Sequence, residues 1–243
     1  AGCHQILFHG RIMMVPCLLR DRILLFDMDR DFAEAGSITF PKHRPKTGVF
    51  DQARKRFFLV SELSNELFLY EAGDGPQFTL KSVQKLLPEA ELVSGRQSAA
   101  IRLSPDERFL YLSTRHADLI TVYRLHGLSG NDSADGKRRQ LSQRFIITGD
   151  SKFLLAVNRY EGGLVSFRLD PDTGMLTELC SRVPAPEAVP VVLAPPVKRI
   201  RHLLLTFKKK GTYIYERKFK EDRIHSRAFD IGLIGLSVMG RSL

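Results

Sequence analysis

The chain has 243 residues, 43% of them hydrophobic, enough for a packed core, and a formal net charge of +10. From Lys198 onward there are 12 Lys and Arg against 4 acidic residues, leaving 25 against 23 before it. The excess therefore describes a basic tail, not a nucleic-acid-binding face. No run of about 18 apolar residues and no basic-then-apolar leader is present, so no transmembrane segment or signal peptide is expected.

The three cysteines, Cys3, Cys17 and Cys180, are odd in number and have no CxxC spacing. They read as ordinary thiols of a reducing compartment, and a cytoplasmic location is expected. No Gly-rich phosphate loop, HExxH pattern, Cys/His cluster or GxSxG elbow occurs, so no metal and no cofactor are expected. Trp is absent, which removes the Trp-Asp signature of WD-repeat scaffolds.

The chain opens AGCH without Met and enters a strand at once, which reads as something other than a natural start. Residues 4–16 (HQILFHGRIMMVP) and 21–27 (DRILLFD) give strand, turn, strand, polar step, strand. Residues 33–40 (AEAGSITF) predict a fourth strand. The same order recurs over residues 47–70, 98–125 and 144–167. Leu80 to Pro88 (LKSVQKLLP) reads as a strand or a short helical turn, and residues 127–137 (GLSGNDSADGK) as an exposed loop. After the fourth unit, DPDTG at residues 170–174 predicts a hairpin leading to an outer strand. Residues 183–196 hold five of the twelve prolines and close the repeat region.

Taking Phe26, Tyr70, Tyr123 and Phe167 as markers, the intervals are 44, 53 and 44 residues. Strand-only units of that period are β-propeller blades. The expectation is an all-β protein: a propeller of about four blades over residues 1–196, with a basic tail over residues 197–243. Asp51, Asp106 and Asp150 recur at matching turn positions in successive units. Because a catalytic group is needed once, their recurrence marks them as turn builders.

The motifs resemble those of the lactonase-type seven-bladed β-propeller family, which includes 6-phosphogluconolactonases and muconate lactonizing enzymes. AAIRLSPD at residues 99–106 with RFLYLSTR at residues 108–115 is similar to its A-x-I-x-L-S-P-D-G-R-F-L-Y-x-S-N-R. VSELSN at residues 60–65 resembles its V-N-E-L step, and residues 167–177 (FRLDPDTGMLT) its blade ending. The likeness covers about residues 3–193 and corresponds to the C-terminal half of the family's domain. Seven blades close a ring, so four imply a partial ring whose exposed edges favour self-association.

The resemblance implies metal-independent hydrolysis, or closure, of a lactone bearing an anionic substituent. That reaction needs a base for water, donors for the oxyanion and a cationic anchor. Carried over residue by residue, His4, Glu62 and Arg115 are the catalytic candidates, with Glu62 or His4 as base. Arg115 and Lys46 are the substrate-binding candidates. Lys46 stands where the family has Arg, losing the bidentate fork, and Thr47 where it has His. PCLL at residues 16–19 replaces P-D-L-G, and residues 141–145 (LSQRF) replace P-R-x-F.

Without the resemblance, His4 reads as a strand-edge histidine, Glu62 as a solvated carboxylate, and Arg115 as a partner of Asp118 in its own turn. The rival expectation is a non-catalytic propeller-derived binding protein or scaffold, or a decayed fragment. Lys208 to Lys210 read as a solvated run, with nucleic acid or acidic lipid as the alternative partner.

Overall fold

A computed structural model describes residues 2–40, 43–86, 97–115, 119–125, 139–140, 144–158, 163–184, 192–193 and 231–232. The first sheet contains β1 (Leu7–His9), β2 (Ile12–Cys17), β3 (Arg22–Asp27) and β4 (Ala33–Thr39). The second contains β5 (Pro45–Phe50), β6 (Arg56–Ser61), β7 (Glu66–Ala72) and β8 (Phe78–Lys85). The third contains β9 (Gln97–Leu103), β10 (Phe109–Arg115), β11 (Leu119–Arg124) and β12 (Arg139–Gln140). The fourth contains β13 (Arg144–Ile147), β14 (Phe153–Asn158), β15 (Gly163–Leu169) and β16 (Leu176–Pro184). In each, neighbours in sequence are neighbours in the sheet and run antiparallel, giving four up-and-down blades. The predicted fourth strand of the first unit is β4, and of the stretch 80–88, read as strand or helical turn, residues 80–85 belong to the strand β8 while residues 87–88 lie outside the described residues.

The outer strand after DPDTG is β16. A separate pair joins β17 (Val192–Leu193) to β18 (Ile231–Gly232), which comes from the segment expected as a tail. The 127–137 loop and most of residues 197–243 lie outside the described residues.

Each blade buries one face against the next. Ile12, Met14, Ile23 and Leu25 of the first meet Phe50, Phe57, Leu59, Phe68 and Tyr70 of the second. Phe58, Val60, Leu67 and Leu69, on the opposite face of the second blade, meet Ile101, Leu110, Leu112 and Tyr123 of the third. Phe109, Tyr111, Ile120 and Val122 then meet Phe145, Ile147, Leu154, Val165 and Phe167 of the fourth. The alternation of side chains along a strand makes this possible: blades two and three present apolar residues at both parities, one set to each neighbour. Among the described residues no core joins the fourth blade to the first, so the blades form an open arc.

The turn between the first two strands of blades two, three and four is one structure repeated. The amides of Asp51, Ser104 and Thr148 bond the carbonyls of Arg56, Phe109 and Phe153, five residues on, at 3.1, 2.8 and 2.9 Å. The fourth residue, Arg54, Glu107 or Ser151, sits at φ +57°, +56° or +58°. The three aspartates do build these turns, but not at one position. Asp106 accepts from Ser104 Oγ and Asp150 from Thr148 Oγ1, whereas Asp51 occupies the place of Ser104 and Thr148. Its carboxylate bonds the Lys55 and Arg56 amides directly, at 2.8 and 3.0 Å. Burial pushes the carboxyls of Asp106 and Asp150 up, but hydrogen bonds from Ser104 and Thr148, with those from Arg108 and the Lys152 amide, outweigh it and hold both below the usual range.

Gly48 on β5 permits the closest approach within the second blade. A Cβ there would lie 2.4 Å from the Phe57 ring and 2.9 Å from the Phe58 carbonyl oxygen. Gly48→Ala is expected to destabilise the protein by about 1–3 kcal/mol, because a buried ring and a backbone oxygen must both move. Urea denaturation followed by circular dichroism measures this, and an unchanged midpoint would refute the packing argument.

Candidate functional site

Antiparallel order brings the start of each blade's innermost strand beside the end of its second strand. Pro45 of β5 pairs with Ser61 of β6, Gln97 of β9 with Arg115 of β10, and Arg144 of β13 with Val157 of β14. In the first blade, Cys3 bridges Cys17 just before His4. The four candidate residues therefore lie at one end of the arc, around its axis.

The β5–β6 register slips between Pro45 and Thr47, which makes Lys46 the extra residue of a bulge. Bulges re-aim a side chain out of the alternation, and Lys46 is turned inward, 5% exposed. The third blade has its slip at the matching place, with Ala99 between the Ser98–Thr114 and Ala100–Ser113 pairs. The Thr47 hydroxyl donates to the Ala99 carbonyl at 3.2 Å, joining the two bulges.

Glu62 follows β6 directly. Its amide donates to the Arg44 carbonyl at 2.9 Å, and Ser61 Oγ accepts the Glu66 amide at 3.0 Å, closing the bend that carries it. Asn65, in αL at φ 50°, accepts Ser98 Oγ at 2.8 Å and fixes that bend to β9. Lys46 Nζ and Arg115 Nη2 both donate to Glu62 Oε1, the arginine at 2.5 Å. Glu62 is 7% exposed, and the Arg115 side chain 23%. One buried carboxylate thus bridges two cations, one from its own blade and one from the next. Asp118, the alternative partner of Arg115, lies outside the described residues.

Burial raises the Glu62 carboxyl above the usual carboxylate range, while His4, when protonated, and Arg44 work against it. His4 is an exposed residue. Partial loss of water around its ring holds its pKa below the ordinary 6.5; Glu62 opposes this, and Arg115 and Arg144 add to it. That direction favours the neutral imidazole at pH 7. The neighbouring Gln5 side chain anchors the segment, donating to the Gly48 carbonyl at 3.0 Å and accepting the Gly48 amide at 2.8 Å.

The structure thus brings together Lys46, Glu62 and Arg115 in direct contact, with His4 in their electrostatic reach. Sequence reasoning passed over Gln5, Ser98 and Arg144. Arg144 stands one residue beyond the arginine of the P-R-x-F pattern, so the charge counted as lost is restored at the start of β13. Arg102 lies in the field of Arg144, and burial lowers its pKa first of all. Among the described residues no group of three His, Cys, Asp or Glu side chains is placed to hold a metal.

A cavity of about 620 Å³ opens elsewhere, between blades three and four, near Asp106, Asp150 and Asp170. Those carboxylates are occupied by their own turns, and the cavity lies at the other end of the inner strands.

The family model described as "Lactonase, 7-bladed beta-propeller" matches residues 1–193. The chain belongs to this family. It is similar to 6-phosphogluconolactonase of Yersinia pestis, 26% identical over 182 residues that make 70% of this chain and 53% of the relative. A Bacillus subtilis 6-phosphogluconolactonase is 31% identical over 169 residues, 66% of this chain and 47% of the relative. The chain therefore spans about half the length of the curated relatives it matches. Among solved structures, the periplasmic gluconolactonase of Pseudomonas aeruginosa superposes with a TM-score of 0.68 at 18% identity, covering 76% of this chain and 55% of that one. That likeness shows the propeller fold.

The ion pairs make Glu62 a structural element whatever else it does. Removing its charge leaves Lys46 buried without a counter-ion, so Glu62→Gln is expected to cost about 3 kcal/mol. Pairing Glu62→Leu with Lys46→Met should restore most of that loss. Equal urea midpoints for wild type and Glu62→Gln would show that the pair carries no such weight.

Proposed function

We propose that the protein acts as a lactonase on a lactone bearing an anionic substituent, without a metal. The observation that carries this reading is the convergence, in a chain of the lactonase family, of His4, Glu62, Lys46 and Arg115 at one end of the arc. Hydrolysis of a phosphorylated or carboxylated lactone needs a neutral base beside positive charge, and that is the composition of this end.

Of the two candidate bases, His4 is the better placed. Glu62 Oε1 is already engaged by both cations, so that oxygen faces them instead of an attacking water. His4 has a depressed pKa and keeps its lone pair at neutral pH. In this reading His4 Nδ1 or Nε2 accepts a proton from water as the oxygen attacks the lactone carbonyl. Arg115, held by Glu62, and the charge of Lys46 stabilise the oxyanion. Collapse breaks the ring C–O bond, and the imidazolium returns its proton to the departing ring oxygen. Arg115 and Arg144 hold the anionic substituent, which gives the site its preference for a charged substrate. A cytoplasmic setting belongs to the same proposal.

The second reading, a non-catalytic binding protein or decayed member, draws on the same ion pairs: a carboxylate locked between two cations is a sound structural device with no turnover required. Acid release from 6-phosphogluconolactone by the purified chain, in buffer containing EDTA, separates the two. The lactonase reading expects turnover with an acid limb in kcat/KM below pH 6.5, because the base must be unprotonated and its pKa is depressed. His4→Gln should lower kcat/KM by about 100-fold or more, with the circular dichroism unchanged. A folded protein without turnover at any pH rejects the lactonase reading.

Self-association through the open end of the arc is also proposed. Phe8, Met13, Val15, Leu24 and Phe26 share the outer face of the first blade, with Phe8 51% exposed and Ile6 beside it 58% exposed. Sedimentation should show a species larger than the monomer that Phe8→Glu with Phe26→Glu dissociates. A monomer at every concentration tested would contradict it.

A further inference from the structure

Cys3 and Cys17 stand opposite each other in an isolated antiparallel bridge. The backbone bond beside them runs from the Leu18 amide to the Gly2 carbonyl at 3.1 Å, so it flanks the cysteines instead of joining them. That makes them a non-hydrogen-bonded pair, the type whose opposed Cα atoms come within about 4.5 Å and whose side chains lie closest. A disulfide spans Cα separations of about 4.4–6.8 Å. Here both thiols are free, and the two sulfurs are 3.3 Å apart. Forming a bond requires the sulfurs to close by little more than an ångström, with no change of strand register.

The two thiols differ in access. Cys3 is exposed, whereas Cys17 is 2% exposed. Burial, followed by the hydrogen bond with Cys3, pushes the Cys17 thiol up to about 11. A reagent in solution therefore meets Cys3 far more readily than Cys17, whose sulfur lies 3.3 Å from that of Cys3. This is the arrangement of an attacking thiol and a resolving one.

We propose that Cys3 and Cys17 form a reversible disulfide site whose co-substrate is a small soluble disulfide of the glutathione type. The Cys3 thiolate attacks one sulfur of the small disulfide, whose S–S bond breaks and releases one small thiolate. Cys3 then carries the other half as a mixed disulfide. Cys17 gives up its proton, its sulfur attacks Cys3 Sγ, and the second small thiolate leaves. Two protein thiols are oxidised to one disulfide, one small disulfide is reduced to two thiols, and the two protons pass to those thiols.

The consequence falls on the first strand segment. Gly2 to Gln5 is held to the rest of the blade by the Leu18–Gly2 bond and to β5 by Gln5. A covalent tie at Cys3 fixes the residue next to His4 to the end of β2, so the redox state sets how firmly that imidazole is held.

The test uses the full chain with Cys180→Ser, which removes the other exposed thiol. The protein is equilibrated with reduced and oxidised glutathione in varied ratio, quenched in acid, alkylated and digested with trypsin. The expected product is the peptide of residues 1–11 joined to that of residues 12–20, two hydrogens lighter than their sum. It should come from protein that runs as a single chain under denaturing, non-reducing conditions, rise with the oxidised fraction and revert with dithiothreitol. Cys17→Ser should stop at a glutathione adduct on Cys3, and Cys3→Ser should leave Cys17 unmodified. Cys17→Ala replaces Cys17→Ser where circular dichroism shows that the serine disturbs the fold. The proposal is overturned if both cysteines stay reduced at a ratio that converts Cys3 in the Cys17 variant, or if the peptides join only between two chains. None of these readouts depends on lactone turnover.

Discussion

Burial of one sheet face against the next is the constraint on which the structure depends. A single four-stranded meander has two apolar faces and no means of covering either, so a blade is stable only between neighbours. Blades two and three satisfy the condition on both sides, with Phe57 and Leu59 turned to one neighbour and Phe58 and Val60 to the other. The four residues in a row are 0–2% exposed. A run of consecutive apolar residues, FFLV, is thus demanded by position in the stack, and replacing one of those phenylalanines by alanine would remove about 3–5 kcal/mol of packing.

The same stacking builds the polar end of the arc. Since every blade begins its inner strand and ends its second strand at that end, residues far apart in sequence are delivered to one place: Lys46, Glu62 and Arg115 span 69 positions, yet share one carboxylate oxygen. Alternation alone would leave Lys46 in the ladder, and the bulge turns it inward. Its charge is then admissible only because Glu62 accompanies it, and Glu62 is fixed by Ser61, Asn65 and Ser98 across two blades. The ion cluster is therefore a product of blade packing, and it holds blade two to blade three in return.

Strands and turns were legible in the sequence because both have short-range signals: period-two apolar runs, and Ser-Pro-Asp or Asp-Pro-Asp-Thr-Gly between them. Register was not. Nothing local marks Lys46 or Ala99 as bulge residues, since each is set by how two strands slip past one another. Asp51 shows the same limit, for it serves the turn from two positions earlier than Asp106 and Asp150 do, and a carboxylate can replace a hydroxyl there without altering the apolar pattern. The ambiguity at residues 80–88 arose because β8 is an outer strand with a mostly exposed, mixed-polarity face, where periodicity is weak. Of the site, Glu62 and Arg115 came through family motifs. Arg144 was hidden by a one-residue displacement, and the Cys3–Cys17 pair by lying across strands with no spacing of its own.

The site's location within the arc has a final consequence. Lys46, Glu62 and Arg115 sit at the junction of blades two and three, which are covered on both faces, and His4 joins them from blade one. The incompletely covered surface, with Ile6 and Phe8, is the far face of blade one. Geometry at the ion cluster is thus set by contacts internal to the described blades, while among the described residues the segment of His4 is tied to blade two through Gln5 on Gly48 and to its own blade by the Gly2–Leu18 bond and the cysteine bridge. Among the described residues, the histidine joins the constellation from an end segment held by those few bonds. Whatever secures or loosens that first segment acts on His4 before it reaches any other residue of the site.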